Sequence, residues 1–293
     1  MNILIIGGQG YIGSSLQINL KDKYNIETYG SKQQDYNELT KESLEKYDYI
    51  ILLAGHSSVQ MCIGSLSSVW NNNVRNFNNL LGKLNKNQKL IYASSSSVYG
   101  NKNIGISKES DVSYSYMNNY DLTKLSLDTL AQNYINSGFS IIGLRFGTVN
   151  GASPLIRTDL MINSMVYSAL KTGRIEVYNR HIKRSILGIN DLAKTIQRII
   201  DSAFIPGIYN LSSFGLDVGQ ISDVVAKITN VDAIDCGNTN MVYDFLIDNT
   251  KILNTFDLVL SDTPENITNE VFSCIKNEKT ICVKRNEYYE YNG

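Results

Sequence analysis

The fold of this chain is decided by its opening stretch, Met1-Asn2-Ile3-Leu4-Ile5-Ile6-Gly7-Gly8-Gln9-Gly10-Tyr11-Ile12-Gly13. The apolar run that ends at Ile6 predicts a strand, and apolar residues at helical spacing follow the last glycine. Glycines at 7, 10 and 13 between a strand and a helix are typical of a turn that holds the phosphates of a dinucleotide. The residues expected to contact this cofactor are Gly7, Gly10, Tyr11, Ile12 and Gly13.

Continuous apolar runs recur along the first half of the chain and alternate with stretches of helical spacing. Such runs suit strands that are buried on both faces, as in parallel sheets. The predicted strands are 3–6, 26–29, 49–54, 89–93 and 139–145, and the predicted helices are 68–84 and 120–135, with Gly138 as a helix stop. This order predicts an α/β fold, a Rossmann-type doubly wound parallel sheet.

The pattern changes after Gly151, where short elements are mixed with Gly, Asn and Ser. The elements predicted there are helices over 160–170 and 191–201 and a strand over 174–178. We therefore assign residues 1–150 to a dinucleotide-binding Rossmann domain. Residues 151–293 are assigned mostly to a smaller substrate lobe, which is interwoven with the sheet and lies over the carboxyl ends of its strands.

The 293 residues carry a formal net charge of −1, with Lys and Arg spread along the chain. A balanced charge argues against nucleic acid or a membrane surface as the main partner. The four cysteines lack the spacing and the neighbouring histidines of a metal site, so we expect neither a metal nor a disulfide. The N-terminus shows no basic leader and only a short apolar run, which predicts a cytoplasmic protein.

A second constellation lies in the middle of the chain. Tyr120-Asp121-Leu122-Thr123-Lys124 places a phenol and an ammonium four residues apart on one helix face. The cation favours the phenolate and so lowers the pKa of the phenol, which is about 10 when unperturbed. Tyr120 is thereby expected to act as an acid and a base. Its partner is expected to be a hydroxyl in the strand end Ala93-Ser94-Ser95-Ser96-Ser97-Val98-Tyr99-Gly100.

Four stretches together resemble the extended short-chain dehydrogenase/reductase superfamily, and within it the nucleotide-sugar epimerase/dehydratase/reductase branch. They are the glycine turn, the serine-rich strand end, Tyr120-x-x-x-Lys124 and Leu144-Arg145-Phe146-Gly147-Thr148-Val149-Asn150-Gly151. The resemblance covers at least residues 1–201. It implies that Ser95, Tyr120 and Lys124 are catalytic, that Tyr120 also contacts the cofactor, and that Lys124 binds the nicotinamide ribose.

The same resemblance assigns further residues and an assembly. Leu53, Ala54 and Gly55 lie where the family passes the cofactor. Asn73 matches an asparagine that supports the sheet. A homodimer through the helices that contain Asn73 and Tyr120 is also implied by the family.

The end of the second predicted strand decides between NAD and NADP. A carboxylate about 20 residues beyond the glycines normally holds the adenosine ribose 2′-hydroxyl of NAD. This chain has Tyr29-Gly30-Ser31-Lys32 there, where a hydroxyl and a cation would favour a 2′-phosphate. We therefore favour NADP, with NAD as the alternative because Asp35 could reach back to the adenosine. The predicted contacts at this end are Ser31, Lys32 and Asp35.

Departures from the family pattern narrow the chemistry. Family 4,6-dehydratases carry an aspartate and a glutamate where this chain has Ser96-Ser97, so water loss across C5 and C6 has no evident agent. The cysteine that 3,5-epimerase/4-reductases carry in place of Ser97 is missing as well. The stretch between Gly30 and Tyr49 is short, as in some 4-ketosugar reductases. What remains is hydride transfer at a sugar carbon with movement of one hydroxyl proton.

The second half is expected to hold a nucleotide diphosphate. Arg184 matches the family arginine that clamps the pyrophosphate, a role that suits bidentate pairing with phosphate. Asn163, in a stretch that resembles a substrate loop, is the predicted phosphate or base contact, whereas Arg157 is equally consistent with a solvated loop residue. We expect Asp191 to be the N-cap of its helix. The predicted substrate contacts are Ser95, Ser96, Thr148, Asn163 and Arg184.

Three aromatic or imidazole side chains outside these motifs have less specific expectations. His56 follows the predicted strand 49–54, and a lone histidine is more often a structural hydrogen-bonding residue than a second base. His181 is expected at the surface, and Trp70 is expected to pack.

Three hypotheses for the function follow from these features. The first is an NADP-dependent 4-ketosugar reductase or 4-dehydrogenase that acts on a nucleotide-diphosphate sugar. The second is a nucleotide-sugar 4-epimerase with tightly bound NAD. The third is a non-catalytic NADP-binding sensor, against which the intact set of Ser95, Tyr120 and Lys124 argues.

Overall fold

A computed structural model describes residues 1–30, 35–63, 65–100, 105–112, 117–239 and 243–283. In chain order the strands are β1 (Asn2–Ile6), β2 (Asn25–Tyr29), β3 (Tyr49–Leu52), β4 (Lys89–Ser95), β5 (Ile106–Ser107), β6 (Ser140–Phe146), β7 (Thr148–Asn150), β8 (Leu155–Arg157), β9 (Arg174–Val177), β10 (Lys183–Gly188), β11 (Gly207–Leu211), β12 (Phe214–Asp217), β13 (Asp232–Asp235), β14 (Leu246–Ile247) and β15 (Ile281–Val283). The helices are α1 (Tyr11–Leu20), α2 (Lys41–Leu44), α3 (Leu66–Trp70), α4 (Asn76–Lys83), α5 (Asn119–Asn136), α6 (Met161–Thr172), α7 (Ile189–Asp201), α8 (Val218–Thr229), α9 (Thr250–Phe256) and α10 (Pro264–Lys276).

Six strands form a parallel central sheet in the order β11-β6-β4-β3-β1-β2. Side chains alternate between the two faces of a strand, so Ile3 and Ile5 of β1 enter one core while Leu4 and Ile6 enter the other. Helices α1, α7 and α9 cover the first face, and α4 and α5 cover the second. The predicted Rossmann-type doubly wound sheet is therefore confirmed.

Chain segments beyond Gly151 contribute both to this sheet and to a separate core. Strand β11 pairs with β6 and extends the central sheet, although it lies in the second half of the chain. Helices α6, α8 and α10 pack together over β9 and β10 around a third cluster of buried residues. The assignment of a domain boundary at residue 150 stays a prediction. None of the helices in the described ranges is long and apolar enough to cross a membrane.

The stretch between β2 and β3 is short, as expected. Its described residues, 35–48, form one 3₁₀ turn over Tyr36–Glu38 and the short helix α2, and they contain no strand.

Two predictions about helices were wrong in detail. The stretch 68–84 is helical, but a π-helical turn over Asn71–Arg75 separates α3 from α4, and Trp70 is 39% exposed instead of packed. Asp191 is not the N-cap of α7, because Gly188 occupies that position. Asp191 lies in the first turn, where its buried carboxylate accepts hydrogen bonds from the backbone N–H groups of residues 261 and 262. His181 is exposed, as predicted.

Candidate active site

A cavity of about 570 Å³ lies at the carboxyl ends of the central strands. Strand β2 lies on one side of β1 and β3 on the other, so the winding direction reverses at β1. In open α/β sheets a ligand crevice forms at such a reversal. The walls come from the glycine turn, the loop after β3, the end of β4, the start of α5, and strands β7 and β10.

The glycine turn has no room for side chains. Gly7 adopts φ +87°, and a Cβ atom on it would lie 2.7 Å from the backbone nitrogen of Ala54. A Cβ atom on Gly13 would collide with the carbonyl oxygen of Gly7. Gly10 is the N-cap of α1 and offers no side chain, so the N–H groups of the first turn remain available to an anion. The turn thus fits the phosphates of a dinucleotide, and all of its predicted contact residues line the cavity.

Tyr11 and Asn163 connect α1 to the stretch that contains Gly151 and Arg157. The Tyr11 hydroxyl donates to the carbonyl oxygen of Gly151 at 2.9 Å and accepts from Nδ2 of Asn163 at 3.3 Å. Oδ1 of Asn163 accepts from the N–H of Gly151, and Nδ2 also donates to the carbonyl oxygen of Arg157. Asn163 is completely buried and is absent from the cavity wall, so the predicted phosphate or base contact does not fit its position.

The predicted adenosine contacts follow the end of β2. Gly30, at φ +95°, lines the cavity directly after β2. Ser31 and Lys32 lie outside the described residues. Asp35 caps a 3₁₀ turn, and its carboxylate accepts from the backbone and side chain of Asn37 instead of lining the cavity.

The loop after β3 is held in place by the π-helical turn. Leu53, Ala54 and Gly55 line the cavity, as predicted. Oδ1 of Asn73 accepts from the backbone N–H of His56 at 2.7 Å, and its Nδ2 donates to the carbonyl oxygen of the same residue. Nδ2 also reaches the hydroxyl of Thr123 on α5 at 3.1 Å. Asn73 therefore connects the loop to the helix that carries Tyr120.

His56 itself lines the cavity next to this anchor. Burial lowers the pKa of its imidazole, so the ring is neutral at neutral pH. A neutral ring can donate or accept a hydrogen bond at the site. Its backbone bonds to Asn72 and Asn73 fix the loop, so a structural role is present whether or not the ring takes part in chemistry.

Ser95, Tyr120 and Lys124 meet on one wall of the cavity. Ser95 ends β4, and its hydroxyl accepts from the N–H of Ser97 at 3.2 Å. Tyr120 lies in the first turn of α5. The ammonium of Lys124 donates to the carbonyl oxygen of Ala93 at 2.8 Å and lies 5.8 Å from the ring centroid of Tyr120. The structure thus places the three predicted residues together.

The charge of Lys124 is buried next to a larger polar network. Burial lowers the pKa of Lys124 to about 8, and the carboxylate of Asp128 opposes this shift. Asp128 lies one turn along α5, where it accepts from the Tyr92 hydroxyl and forms a buried ion pair of 2.7 Å with Arg145. Arg145 also donates to the hydroxyl of Tyr99. The network joins α5 to β4 and β6 directly behind the cavity.

Another part of the cavity wall combines hydroxyls with the guanidinium of Arg184. Arg184 on β10 donates to the hydroxyl of Thr148 on β7 at 3.2 Å, and both residues line the cavity with Ser96. The Ser94 hydroxyl is buried at the same wall and has no hydrogen-bond partner in the described part of the chain.

Arg157, for which two roles were open, also lies at the cavity wall. Its guanidinium forms two hydrogen bonds with the carboxylate of Asp159, at 3.0 and 2.6 Å, and lies within 3.5 Å of the hydroxyl of Ser57. It is therefore held in a loop ion pair at the edge of the site.

Sequence reasoning did not find part of the cavity wall. Tyr243 and Phe245 line the cavity from the far end of the chain, and Asp121 lies behind Tyr243. Asp121 adjoins Tyr120 and could have been noted as a neighbouring acid. Tyr243 carries no local motif, and only the fold brings it to α5.

Comparison with known proteins agrees with this geometry. The sequence model of the NAD dependent epimerase/dehydratase family matches residues 3–212. Protein CapI of Staphylococcus aureus is 28% identical over 68% of this chain and 69% of its own length. UDP-glucuronate 4-epimerase 2 of Arabidopsis thaliana is 27% identical over 69% of this chain and 55% of its own. GDP-6-deoxy-D-talose 4-dehydrogenase of Aggregatibacter actinomycetemcomitans is 25% identical over 78% and 80%.

Solved structures share the whole fold at lower identity. MoeE5 in complex with UDP-glucuronic acid and NAD superposes with a TM-score of 0.83, at 19% identity, over 95% of this chain and all of its own. RMD from Pseudomonas aeruginosa, complexed with NADPH, gives a TM-score of 0.79 at 19% identity over 94% and 98%. These proteins thus share the overall fold of this chain.

Proposed function

The chain belongs to the NAD dependent epimerase/dehydratase family, and on that premise we propose that it transfers a hydride between NADP and C4 of a nucleotide-linked sugar. It acts as a 4-ketosugar reductase or a 4-dehydrogenase. The observation that carries this proposal is the composition of the cavity wall. Ser95, Tyr120 and Lys124 lie there with the glycine turn, and the wall contains no carboxylate among the described residues.

The chemistry follows from the positions of these groups. A bound nicotinamide dinucleotide supplies or accepts the hydride. Ser95 and Tyr120 donate hydrogen bonds to the sugar oxygen at C4, and Tyr120 gives that oxygen its proton in the reductive direction. Lys124 holds a positive charge beside Tyr120 and binds the nicotinamide ribose. Hydride transfer with movement of one hydroxyl proton needs no further acid or base, so this chemistry does not require a carboxylate in the described wall.

The remaining contacts bind two parts of the substrate, the diphosphate and the sugar. Arg184 pairs with the diphosphate, for which a guanidinium offers two parallel donors. Ser96 and Thr148 bind the sugar between Arg184 and Tyr120. The cofactor is NADP because the end of β2 provides no carboxylate at Tyr29-Gly30-Ser31-Lys32.

We place the protein in the cytoplasm as a homodimer. The proposed interface is formed by the helical stretch that contains Asn73 and by α5. Ile63, Leu66 and Trp70 expose apolar surface at α3, which packs beside α5. Exposed apolar side chains of this kind suit contact with a second copy of the chain.

A 4-epimerase with tightly bound NAD is the second candidate. It is favoured by the relatives, which include a UDP-glucuronate 4-epimerase as well as a 4-dehydrogenase. An epimerase would oxidise and then reduce the same carbon, so it would release neither the intermediate nor the reduced cofactor.

One experiment separates the candidates. The purified protein is denatured and the released nucleotide is identified, and NADPH and NADH oxidation is then followed with a panel of 4-keto nucleotide sugars. A reductase binds NADPH loosely and oxidises it with at least one member of the panel. Stoichiometric bound NAD and interconversion of 4-hydroxy sugars would replace this proposal with the epimerase. No turnover in either assay would favour the NADP-binding sensor.

A further inference from the structure

A hydrogen bond joins the C-terminal part of the chain to the start of α5. The hydroxyl of Tyr243 donates to Oδ1 of Asp121 at 2.7 Å, and Nδ2 of Asn118 donates to the same hydroxyl at 2.7 Å. Asp121 is buried and directly follows Tyr120 in the chain. Tyr243 lines the cavity, whereas Asp121 lies behind it.

The carboxylate of Asp121 also fixes the first turn of α5. Its Oδ2 accepts from the backbone N–H of Met117 and from Nδ2 of Asn118, both at 3.2 Å. In return the side-chain oxygen of Asn118, the N-cap, accepts from the N–H of Asp121. These bonds surround Tyr120, so the position of its phenol depends on them.

The hydroxyl of Tyr243 is a dependable donor. Burial and the adjacent Asp121 carboxylate raise the pKa of Tyr243, so its proton stays in place at neutral pH. Burial also raises the pKa of Asp121, and the hydrogen bonds from Tyr243 and Met117 oppose that shift. The bond is therefore one between a neutral donor and a buried acceptor.

The other end of this segment is attached to the strand that carries Arg184. The backbone N–H of Lys183 donates to Asp244 at 2.9 Å, and the N–H of Ile247 donates to the hydroxyl of Ser185 at 3.0 Å. The guanidinium of Arg184 lies 5.9 Å from the ring centroid of Tyr243. Segment 243–247 is thus bonded to β10 through Asp244 and Ile247 and to α5 through Tyr243.

We propose that Tyr243 and Asp121 are positioning residues whose hydrogen bond couples the strand of Arg184 to the turn of Tyr120. This inference rests on the proposed function, in which Arg184 binds the diphosphate and Tyr120 contacts the sugar oxygen. A nucleotide diphosphate that is bound at Arg184 then sets the distance between the sugar and Tyr120. A nucleotide-linked sugar is therefore turned over, whereas the free sugar is not.

The kinetic test uses a variant that lacks only the hydroxyl oxygen of Tyr243. Tyr243→Phe keeps the ring beside Arg184 but loses the bond to Asp121. We expect kcat to fall about tenfold or more, because a small displacement of a reacting group has a large effect on rate. KM for the nucleotide sugar should change by less than about threefold, because Arg184 is intact. The double variant with Asp121→Asn should be no slower than the slower single variant.

The matched control is Tyr47→Phe. Tyr47 donates to Glu27 at 2.7 Å, the same kind of bond at the same length, at the opposite end of the sheet. The Tyr47→Phe protein should lose about as much thermal stability as the Tyr243→Phe protein, and its kcat should be unchanged. A Tyr243→Phe protein with wild-type kcat, or additive losses in the double variant, would overturn the proposal.

A second measurement does not depend on turnover. Hydrogen–deuterium exchange of residues 117–124 is followed with UDP, CDP, GDP and dTDP. In the wild type, the nucleotide that binds should slow exchange in this turn, and Tyr243→Phe should remove that protection while nucleotide binding persists. Equal protection in both proteins would contradict the coupling. A wild type that binds a nucleotide and shows the protection, yet turns over no sugar, would count against the proposed function alone.

Discussion

The ammonium of Lys124 donates a 2.8 Å hydrogen bond to the carbonyl oxygen of Ala93, and this bond ties α5 to the strand that ends at Ser95. The two elements that supply the proposed catalytic hydroxyls are thereby fixed relative to each other. The bond holds a buried cation, which is unfavourable for folding unless its charge is compensated. The charge of Lys124 therefore lowers the stability of the fold, and we attribute its presence to the function of the site.

Replacing Lys124 should lower the activity and raise the free energy of unfolding. Lys124→Met removes the buried charge, and since the pKa of Lys124 falls from 10.5 to about 8 on folding, we expect a gain of about 3 kcal/mol at neutral pH. The unfolded chain binds more protons between pH 8 and 10.5, so the wild type regains stability over that range. The difference in the free energy of unfolding, measured by denaturant titration without dinucleotide, should shrink as pH rises.

Lys83→Met is the control for this comparison. Lys83 also donates to a backbone carbonyl oxygen, that of Asn37 at 2.7 Å, but it is half-buried and lies away from the cavity. Its replacement should bring no gain. A Lys124→Met protein that is less stable than the wild type at pH 7 would contradict the account of the buried charge.

Tyr120→Phe should abolish turnover and leave dinucleotide binding intact. The phenol supplies the proton for the sugar oxygen, and loss of a positioned acid or base costs about 10²- to 10⁴-fold in rate. Single-turnover kinetics and NADPH fluorescence titration measure the two effects separately. Full turnover by this variant would refute the proposed mechanism.

Arg184→Lys should raise KM for the nucleotide sugar by about 10- to 100-fold, because a lysine keeps the charge but loses the paired donors to phosphate. The Kd for NADPH should stay the same, since Arg184 is placed on β10 and away from the glycine turn. Steady-state kinetics and fluorescence titration distinguish the two parameters. A weaker Kd for NADPH with an unchanged KM would assign Arg184 to the cofactor.

Gly13→Ala should destabilise the fold by about 1–3 kcal/mol and weaken dinucleotide binding, because the added carbon meets the backbone of Gly7. Gly82→Ala is the matched control. Gly82 lies in α4 with no atom within 4 Å of an added Cβ atom, so alanine there should gain about 0.5–1 kcal/mol. Thermal and denaturant unfolding compare the two variants. Equal effects would show that the crowding at Gly13 is unimportant.

The parts of the site that could be predicted are encoded locally. The glycine turn and the pair Tyr120 and Lys124 each follow from spacing within one or two turns of a helix. Asn163 was misplaced because its local sequence resembles a substrate loop, while its burial depends on Tyr11, 152 residues earlier. The bond between Tyr243 and Asp121 spans 122 residues, and no periodic pattern connects them.

The π-helical turn over Asn71–Arg75 has a consequence for how this gene can change. Such a turn holds one more residue than an α-helical turn, so losing any one residue there would leave a regular helix. The helices on either side would keep their facing, because the extra residue is absorbed within the turn itself. Asn73 lies inside the turn, so closing the turn would redirect its side chain and break its bonds to His56 and Thr123. Single-codon deletions here should therefore preserve the helix and release the loop of His56.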